Sequence, residues 1–375
     1  MNLRSIIEQE IRERGPMRFS RYMELCLYHP VLGYYSRNVE QFGKAGDFYT
    51  SSDVHAVFGR LLARQFEEMW RVMGSPDRVE LLELGPGRGL FARDVLDWSE
   101  KKFPKFFEAV HYTLAENSPA LRTKLQETLG RHIEAGRAVL AEHIDAAQIS
   151  RALPLGVPVI VFANEFFDAM PVEVVCDKGQ LVIDFRDGKL TEAWVPASAD
   201  TLEFLDRYSI HPEAGERIEV PLLAQEYMRG IAQGMKQGFV VAVDYGYTRG
   251  EQLAGRHRGT LSTYRKHSVG ANPYEAPGEQ DITAHVNFTA LAAAAEREGM
   301  QAQKLVTQSQ FLMGIGEGNQ FADAFEECRL PQERAKVALQ LKHLVTPAGM
   351  GESFHVLVAG RQVEAGGLAG LSFGR

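Results

Sequence analysis

Cysteine is scarce. The 375-residue chain has three, Cys26, Cys176 and Cys328, far apart and outside any Cys-x-x-Cys or Cys/His spacing. That excludes a disulfide scaffold, predicts no metal site, and reads most plainly as a reducing compartment. Long apolar runs are missing as well. None reaches the roughly 18 residues that a membrane helix needs, so no membrane insertion is expected. Positive charge is in deficit, with 41 Lys+Arg against 49 Asp+Glu and a net charge of −8. This argues against general affinity for nucleic acid or anionic membrane. The N-terminal stretch lacks the build of a signal peptide, and Glu8, Glu10 and Glu13 spoil a transit-peptide reading, because such peptides are acid-poor. A cytoplasmic protein is expected. Internal repeats and long low-complexity stretches are absent too. With 45% hydrophobic and 24% charged residues, the composition is that of an ordinary globular chain, which excludes wholesale disorder.

What is present is a change of rhythm near residue 79. Residues 1–78 read as an N-terminal helical region, with Leu3, Ile6, Ile7 and Ile11 on one helical face. A second helix is expected at 20–27 and another at 53–73. Residues 79–360 read as an α/β domain with insertions near 174–236 and 246–280, and 361–375 as a flexible, Gly-rich tail. Strands are expected at 79–84, 110–116, 137–141, 157–163 and 238–244, with helices in the intervals, and a closing strand at 353–359. Strands alternating with helices mean a largely parallel sheet covered on both faces. Residues 174–195 depart from this pattern and read as a hairpin turning at Asp187-Gly188. A helix is expected at 283–298.

Two clusters carry chemistry. The first is Glu83-Leu84-Gly85-Pro86-Gly87-Arg88-Gly89, between a strand and a helix. Glycines there let backbone approach a ligand, and a helix start favours a negative group. One reading is a dinucleotide fingerprint, since Gly87 to Ala92 has the form GxGxxA. The other is the acidic-x-Gly-x-Gly-x-Gly turn of S-adenosylmethionine methyltransferases. Glu116 weighs for the second. It ends the second strand, where a carboxylate reaches both ribose hydroxyls, but lies about 30 residues beyond the glycines, against about 20 in dinucleotide folds. Glu83 also has a task only in the second reading, fixing the turn and facing the cationic amine of the methionine moiety.

The second cluster, Asn164-Glu165-Phe166-Phe167-Asp168-Ala169-Met170-Pro171, follows the fourth strand directly. Ligands of open α/β sheets bind at the carboxyl ends of strands. Two carboxylates beside two Phe rings suit a cationic, planar acceptor such as a guanidinium. The alternative is a helix N-cap with acidic first-turn residues. Three further features have two readings each. The loop 46–52, with Asp47, Thr50 and Ser51, either closes over the methionine carboxylate or is a capped surface turn. His285 either contacts the acceptor and shuttles a proton or is a helix-start histidine bonded to backbone. The loop from Arg256-His257-Arg258 to Arg265-Lys266-His267 either docks an acidic partner or is solvated charge.

In order along the chain, His29-Pro30, Gly33-Tyr34-Tyr35, Gly46-Asp47-Phe48-Tyr49-Thr50-Ser51, the glycine turn, Asn164 to Val172, Pro277-Gly278 and Asp281-Ile282-Thr283-Ala284-His285-Val286 resemble the MidA-like family of class I S-adenosylmethionine-dependent methyltransferases. The resemblance covers about residues 17–360. It implies a Rossmann-like sheet of seven strands with the last antiparallel. It also implies S-adenosyl-L-methionine as cofactor and methylation of arginine on a protein substrate, such as a subunit of respiratory complex I. The site expected is Glu83, Gly85, Gly87, Gly89, Glu116, Asn164, Thr50 and Ser51 for the cofactor, with Glu165, Asp168 and His285 catalytic. Asn287 stands where the family often has Asp, which puts a catalytic role there in doubt. Two rival classes are a non-catalytic assembly factor and a small-molecule methyltransferase. Retention of Glu165, Asp168 and His285 argues against the first. The long loop 246–280 and the helical N-terminal region argue against the second.

Overall fold

The computed structural model describes residues 2–37, 56–141, 144–265, 268–270 and 272–374. The chain divides into two compact units, each made of three segments. One comprises Tyr49–Phe166, Tyr227–Tyr245 and Ala292–Arg375. The other comprises Met1–Phe48, Phe167–Glu226 and Gly246–Leu291. The expected N-terminal region is therefore divided: its helix Ala56–Val72 falls in the first unit, while its first 48 residues group with 167–226 and 246–291.

The first unit is built on a sheet. Its strands are β1 (Val79–Leu84), β2 (Val110–Ala115), β3 (Ala138–Ala141), β4 (Val159–Asn164), β5 (Gly238–Tyr247) and β6 (Phe354–Arg361). They lie in the order β6-β5-β4-β1-β2-β3, with the short strand Gln301–Ala302 outside β6. β3, β2, β1, β4 and β5 run parallel, and β6 is antiparallel to β5, with Gly238 opposite Arg361 and Tyr245 opposite Phe354. β4 reads Val-Ile-Val-Phe-Ala without alternation, and all five side chains are buried. That is the pattern of a parallel strand covered on both faces by helices. Phe162 of β4 stacks on Phe91 of the helix Leu90–Lys102, with ring centroids 4.5 Å apart. The helix Ala56–Val72 buries Phe58, Leu61, Leu62, Phe66 and Met69, spaced to form one apolar face.

The end of the chain departs from expectation. The described residues of the expected tail, 361–374, are not loose: Ala369–Gly374 form a 3-10 helix, and Ala365, Leu368 and Leu371 are buried. Gln65, fully buried, accepts the Gly370 N–H, and Glu68 accepts that of Ala369. The glycines hid three apolar anchors spaced three apart. Leu368→Ala should destabilise the protein by about 2–5 kcal/mol, the usual range for a buried Leu. Chemical denaturation reads this directly, and a loss below about 0.5 kcal/mol, typical of surface substitutions, would restore the loose tail.

The second unit packs the helices Leu3–Arg14 and Phe19–Tyr28 on a small antiparallel sheet. Asn2 caps the first helix by accepting the Ser5 N–H. Its core holds Leu3, Ile7, Ile11, Phe19, Tyr22 and Met23 with Val174, Leu181, Ile183 and Ile282. The strands Gly179–Arg186 and Lys189–Val195 form the expected hairpin, with Arg186 opposite Lys189. Asp187 and Gly188 both have positive φ, as the tight two-residue turn requires. The helix expected at 283–298 begins only at Phe288. Ahead of it lie the short strands Asp281–Thr283 and Val286–Asn287.

Candidate functional site

In the sheet unit, β1 ends in the glycine turn. Gly85, Gly87 and Gly89 all have left-handed φ, of 65°, 55° and 76°. A Cβ on Gly89 would lie 2.6 Å from Leu125 Cδ2, so this glycine serves close packing of the following helices. Gly85 donates its N–H to the Ala115 carbonyl at 3.1 Å, which ties the turn to the end of β2. Glu83 is buried beneath the turn and accepts the Tyr112 hydroxyl proton at 2.8 Å. Burial pushes its carboxyl up to about 8; the Tyr112 bond opposes the shift, and nearby Glu116 adds to it. Glu116 is buried at the end of β2 and accepts backbone N–H groups from Ser118, Gly87 and Asn117. Burial raises it to about 7 against those bonds.

Among the described residues, neither Glu83 nor Glu116 has an ion-pair partner within 4.0 Å. Buried carboxylates without a cation are costly, and a ligand with an ammonium group and a ribose diol supplies what these two lack. Asn164, at the end of β4, has a buried Oδ1 without a partner among the described residues, while its Nδ2 donates to Glu165 Oε1 at 3.2 Å. These features fit S-adenosylmethionine. Thr50 and Ser51 lie outside the described residues.

The raised carboxyls carry a pH prediction. Folded Glu83 and Glu116 hold protons more tightly than the roughly 4.3 of an unfolded Glu. Their contribution to stability is therefore fully present below about pH 4 and is lost as pH rises through about 7 to 8. Cofactor affinity runs the other way. It should rise from about pH 5.5 to pH 7, below the titration of the ligand's own amine, as Glu83 ionises to meet the ammonium. Calorimetric titration across this range should show the rise in the wild type and a shallower one in Glu83→Gln, where only Glu116 still titrates; equal slopes would remove Glu83 from amine binding.

The segment after β4 settles one alternative. No helix follows Asn164; the chain turns through 165–172 into the strand Glu173–Cys176. The N-cap reading of Asn164 and Asp168 is therefore overturned. Glu165 sits in left-handed backbone at φ 50°, an unfavourable region for a non-glycine residue, and donates its N–H to the Val243 carbonyl at 3.0 Å. Asp244, buried at the end of β5, accepts the Phe166 N–H at 3.2 Å. Strained backbone persists where its surroundings hold it, and such positions cluster at functional sites. The sequence reading missed Asp244 as the residue that holds this turn, because its partner lies 78 positions away.

In the second unit, buried Asp168 accepts the Ala284 N–H through its backbone carbonyl at 2.9 Å. Asp281, also buried, accepts the Tyr35 hydroxyl proton at 3.0 Å. Tyr35 stacks on Tyr28, with ring centroids 5.5 Å apart, and Tyr28 donates to the Ala169 carbonyl. Burial pushes the Tyr35 hydroxyl proton's pKa up, with Asp281, Tyr28 and Asp168 adding to it. Asp281, Tyr35 and Tyr28 thus form one chain of contacts, and the Asp168 carboxyl is near enough to act on the Tyr35 hydroxyl. Tyr35 and Asp281 lay inside the motif strings, but nothing local assigned them a task.

His285 lies between the short strands and not at a helix start. Its N–H donates to Thr260 Oγ1 at 3.1 Å, and its Nδ1 faces His257 Nδ1 at 3.3 Å. Burial, then His257, lowers its pKa to about 4, so the ring is neutral at pH 7. It borders a small cavity with Phe167, Ala224, Gln225 and Leu291. Asn287 caps the helix Phe288–Arg297, accepting the Ala290 N–H and donating to the Tyr208 carbonyl, both at 3.0 Å. An Asp there could not make the second bond when ionised. The basic loop is largely neutralised. Arg258 pairs with Glu213 and Glu216, Arg265 with Glu279, and Arg256 with Glu251. These pairs favour the solvated-charge reading over docking of an acidic partner; Lys266 and His267 lie outside the described residues.

Residues 61–306 match a family described as putative S-adenosyl-L-methionine-dependent methyltransferases. The chain belongs to this family. The chain is also 29% identical to the protein arginine methyltransferase NDUFAF7 homolog, mitochondrial, of Drosophila melanogaster, over 94% of this chain and 83% of the relative. The human protein arginine methyltransferase NDUFAF7, mitochondrial, is 27% identical over 92% of this chain and 80% of its own length. A crystal structure from Burkholderia thailandensis, bound to S-adenosyl-homocysteine, superposes with a TM-score of 0.85 at 28% identity, covering 99% of this chain and 94% of that one. As an S-adenosylmethionine-dependent methyltransferase, the MidA-like chain is an enzyme, and its sheet has the expected antiparallel final strand. The dinucleotide and non-catalytic readings are set aside. No described helix is long and apolar enough to cross a membrane.

Proposed function

We propose that this methyltransferase acts on an arginine side chain of a protein substrate, with a respiratory complex I subunit as the class of target the family resemblance implies. The observation that carries the reading is the turn after β4. There Glu165 is held in strained backbone, and Asp168 follows three residues on without capping a helix. Two relatives named as protein arginine methyltransferases, matching over more than nine-tenths of this chain, support it.

Glu83 and Glu116 take the amine and ribose of the cofactor, and Asn164 and the turn glycines line it. When bound, S-adenosylmethionine supplies a methyl group on a good leaving group. A guanidinium is protonated at any physiological pH, so it enters with its charge and must lose one proton as it is methylated. Glu165 and Asp168 hold the cation, turn one nitrogen for attack and draw its proton away. His285, kept neutral by burial, relays that proton. Three unlinked thiols suit a reducing, cytoplasmic compartment. Proteome-wide mass spectrometry of a deletion strain tests the substrate class. The expected result is a methyl-arginine peptide lost in the deletion and restored by the gene. Loss of a methylated small molecule with every methyl-arginine retained would favour the small-molecule alternative.

A further inference from the structure

His257 was not among the expected site residues, yet its ring meets that of His285. At 3.3 Å between Nδ1 atoms, the two imidazoles are close enough to share one proton between these nitrogens. Two N–H groups facing each other repel, as do two lone pairs, so one ring donates and the other accepts. Which nitrogen of a histidine carries its proton is set by the hydrogen bond that the other nitrogen makes.

The pair is held from several sides. The His257 ring lies flat against buried Tyr247, with centroids 5.3 Å apart and planes at 17°. Its backbone is in the left-handed region at φ 54°, where a non-glycine residue stays only when its surroundings hold it. Glu219, buried on the strand Ile218–Val220, supplies that hold. Its carboxylate accepts the Thr260 N–H at 3.0 Å, the Thr260 hydroxyl proton at 2.9 Å and the Leu261 N–H at 3.2 Å. The Thr260 oxygen in turn accepts the His285 N–H. One carboxylate therefore fixes both the loop that carries His257 and the backbone of His285.

We propose that His257 sets the tautomer of His285, with Glu219 acting through Thr260 as the positioning residue for both. His285 donates from Nδ1 to His257 Nδ1 and presents Nε2 as a lone pair. Only in this direction does a neutral His285 accept a proton at Nε2. Once it does, its Nδ1–H stays bonded to the His257 Nδ1 lone pair, which steadies the charge, as an orienting partner does for a catalytic imidazole. The proposal rests on the reading of His285 as proton relay, but its test does not depend on turnover.

The full chain labelled with 15N-histidine is examined by long-range proton–nitrogen NMR at neutral pH, with His257→Asn and His285→Gln spectra for assignment. The expected wild-type result is a His285 with protonated Nδ1 and bare Nε2. In His257→Phe, which keeps a ring against Tyr247 but removes the acceptor, the two nitrogen shifts should move toward each other as tautomers mix. His257→Asn, whose Oδ1 replaces the lost acceptor, should restore them, and Glu219→Gln should mix them again. A wild-type His285 protonated at Nε2, or shifts unchanged in His257→Phe, would overturn the proposal. Should His257→Phe not fold, the wild-type spectrum decides alone. Full turnover in His285→Gln beside the expected tautomer would remove the proton relay and leave the pairing intact.

Discussion

Replacing Gly87 by Val is expected to abolish S-adenosylmethionine binding while the protein stays folded. Gly87 has φ 55°, a region that a β-branched residue adopts only as an outlier. Its N–H is one of the groups that hold the Glu116 carboxylate. A valine therefore either flips the turn and releases Glu116, or keeps the turn and places a side chain where the ligand's backbone approach occurs. The conformational cost, about 1–2 kcal/mol for a left-handed L-residue, lies well within the usual stability of about 5–15 kcal/mol. Calorimetry should show no binding heat for S-adenosylmethionine or S-adenosylhomocysteine, with a cooperative melt retained. Affinity within about tenfold of wild type, or 1.4 kcal/mol, would remove the turn from the cofactor site.

Glu165→Gln and Asp168→Asn should retain cofactor affinity and lose about 10²–10³ in turnover each, the usual effect of removing one preorganised group that faces reaction charge. Both substitutions keep shape and remove charge. The Ala284 N–H bonds to the Asp168 backbone carbonyl, and Asn leaves that bond in place. A third variant separates chemistry from folding. Glu165→Gly relieves the left-handed strain at this position, so it should be as stable as wild type or more so, yet as inactive as Glu165→Gln. Turnover within about threefold of wild type in both charge variants, below ~0.7 kcal/mol, would move the acceptor centre toward Tyr35 and Asp281.

Periodicity and short-range motifs were legible in the sequence. The apolar run of β4, the Asp187-Gly188 hairpin and the glycine turn each depend on neighbours within a few residues, and each stands where expected. Pairings across long separations were not. The acids that neutralise Arg258 lie 42 and 45 positions upstream of it. The partner that pins Phe166 lies on another strand, and the unit carrying Asp168 and His285 is assembled from three separated segments. The late start of the helix Phe288–Arg297 has a local cause. Asn287 is an ordinary N-cap, but its place in a family motif drew attention to catalysis and away from capping. The tail was misread because its glycines outweighed Ala365, Leu368 and Leu371 in the composition.

The central claim is that the methyl group goes to arginine nitrogen in a protein. The most direct measurement incubates the purified enzyme with methyl-labelled S-adenosylmethionine and protein extract from a strain lacking the gene, followed by complete hydrolysis and separation of the labelled amino acids. The account predicts label in methylated arginine, dependent on Glu165. Label recovered only in another amino acid, or only in the small-molecule fraction, would contradict it.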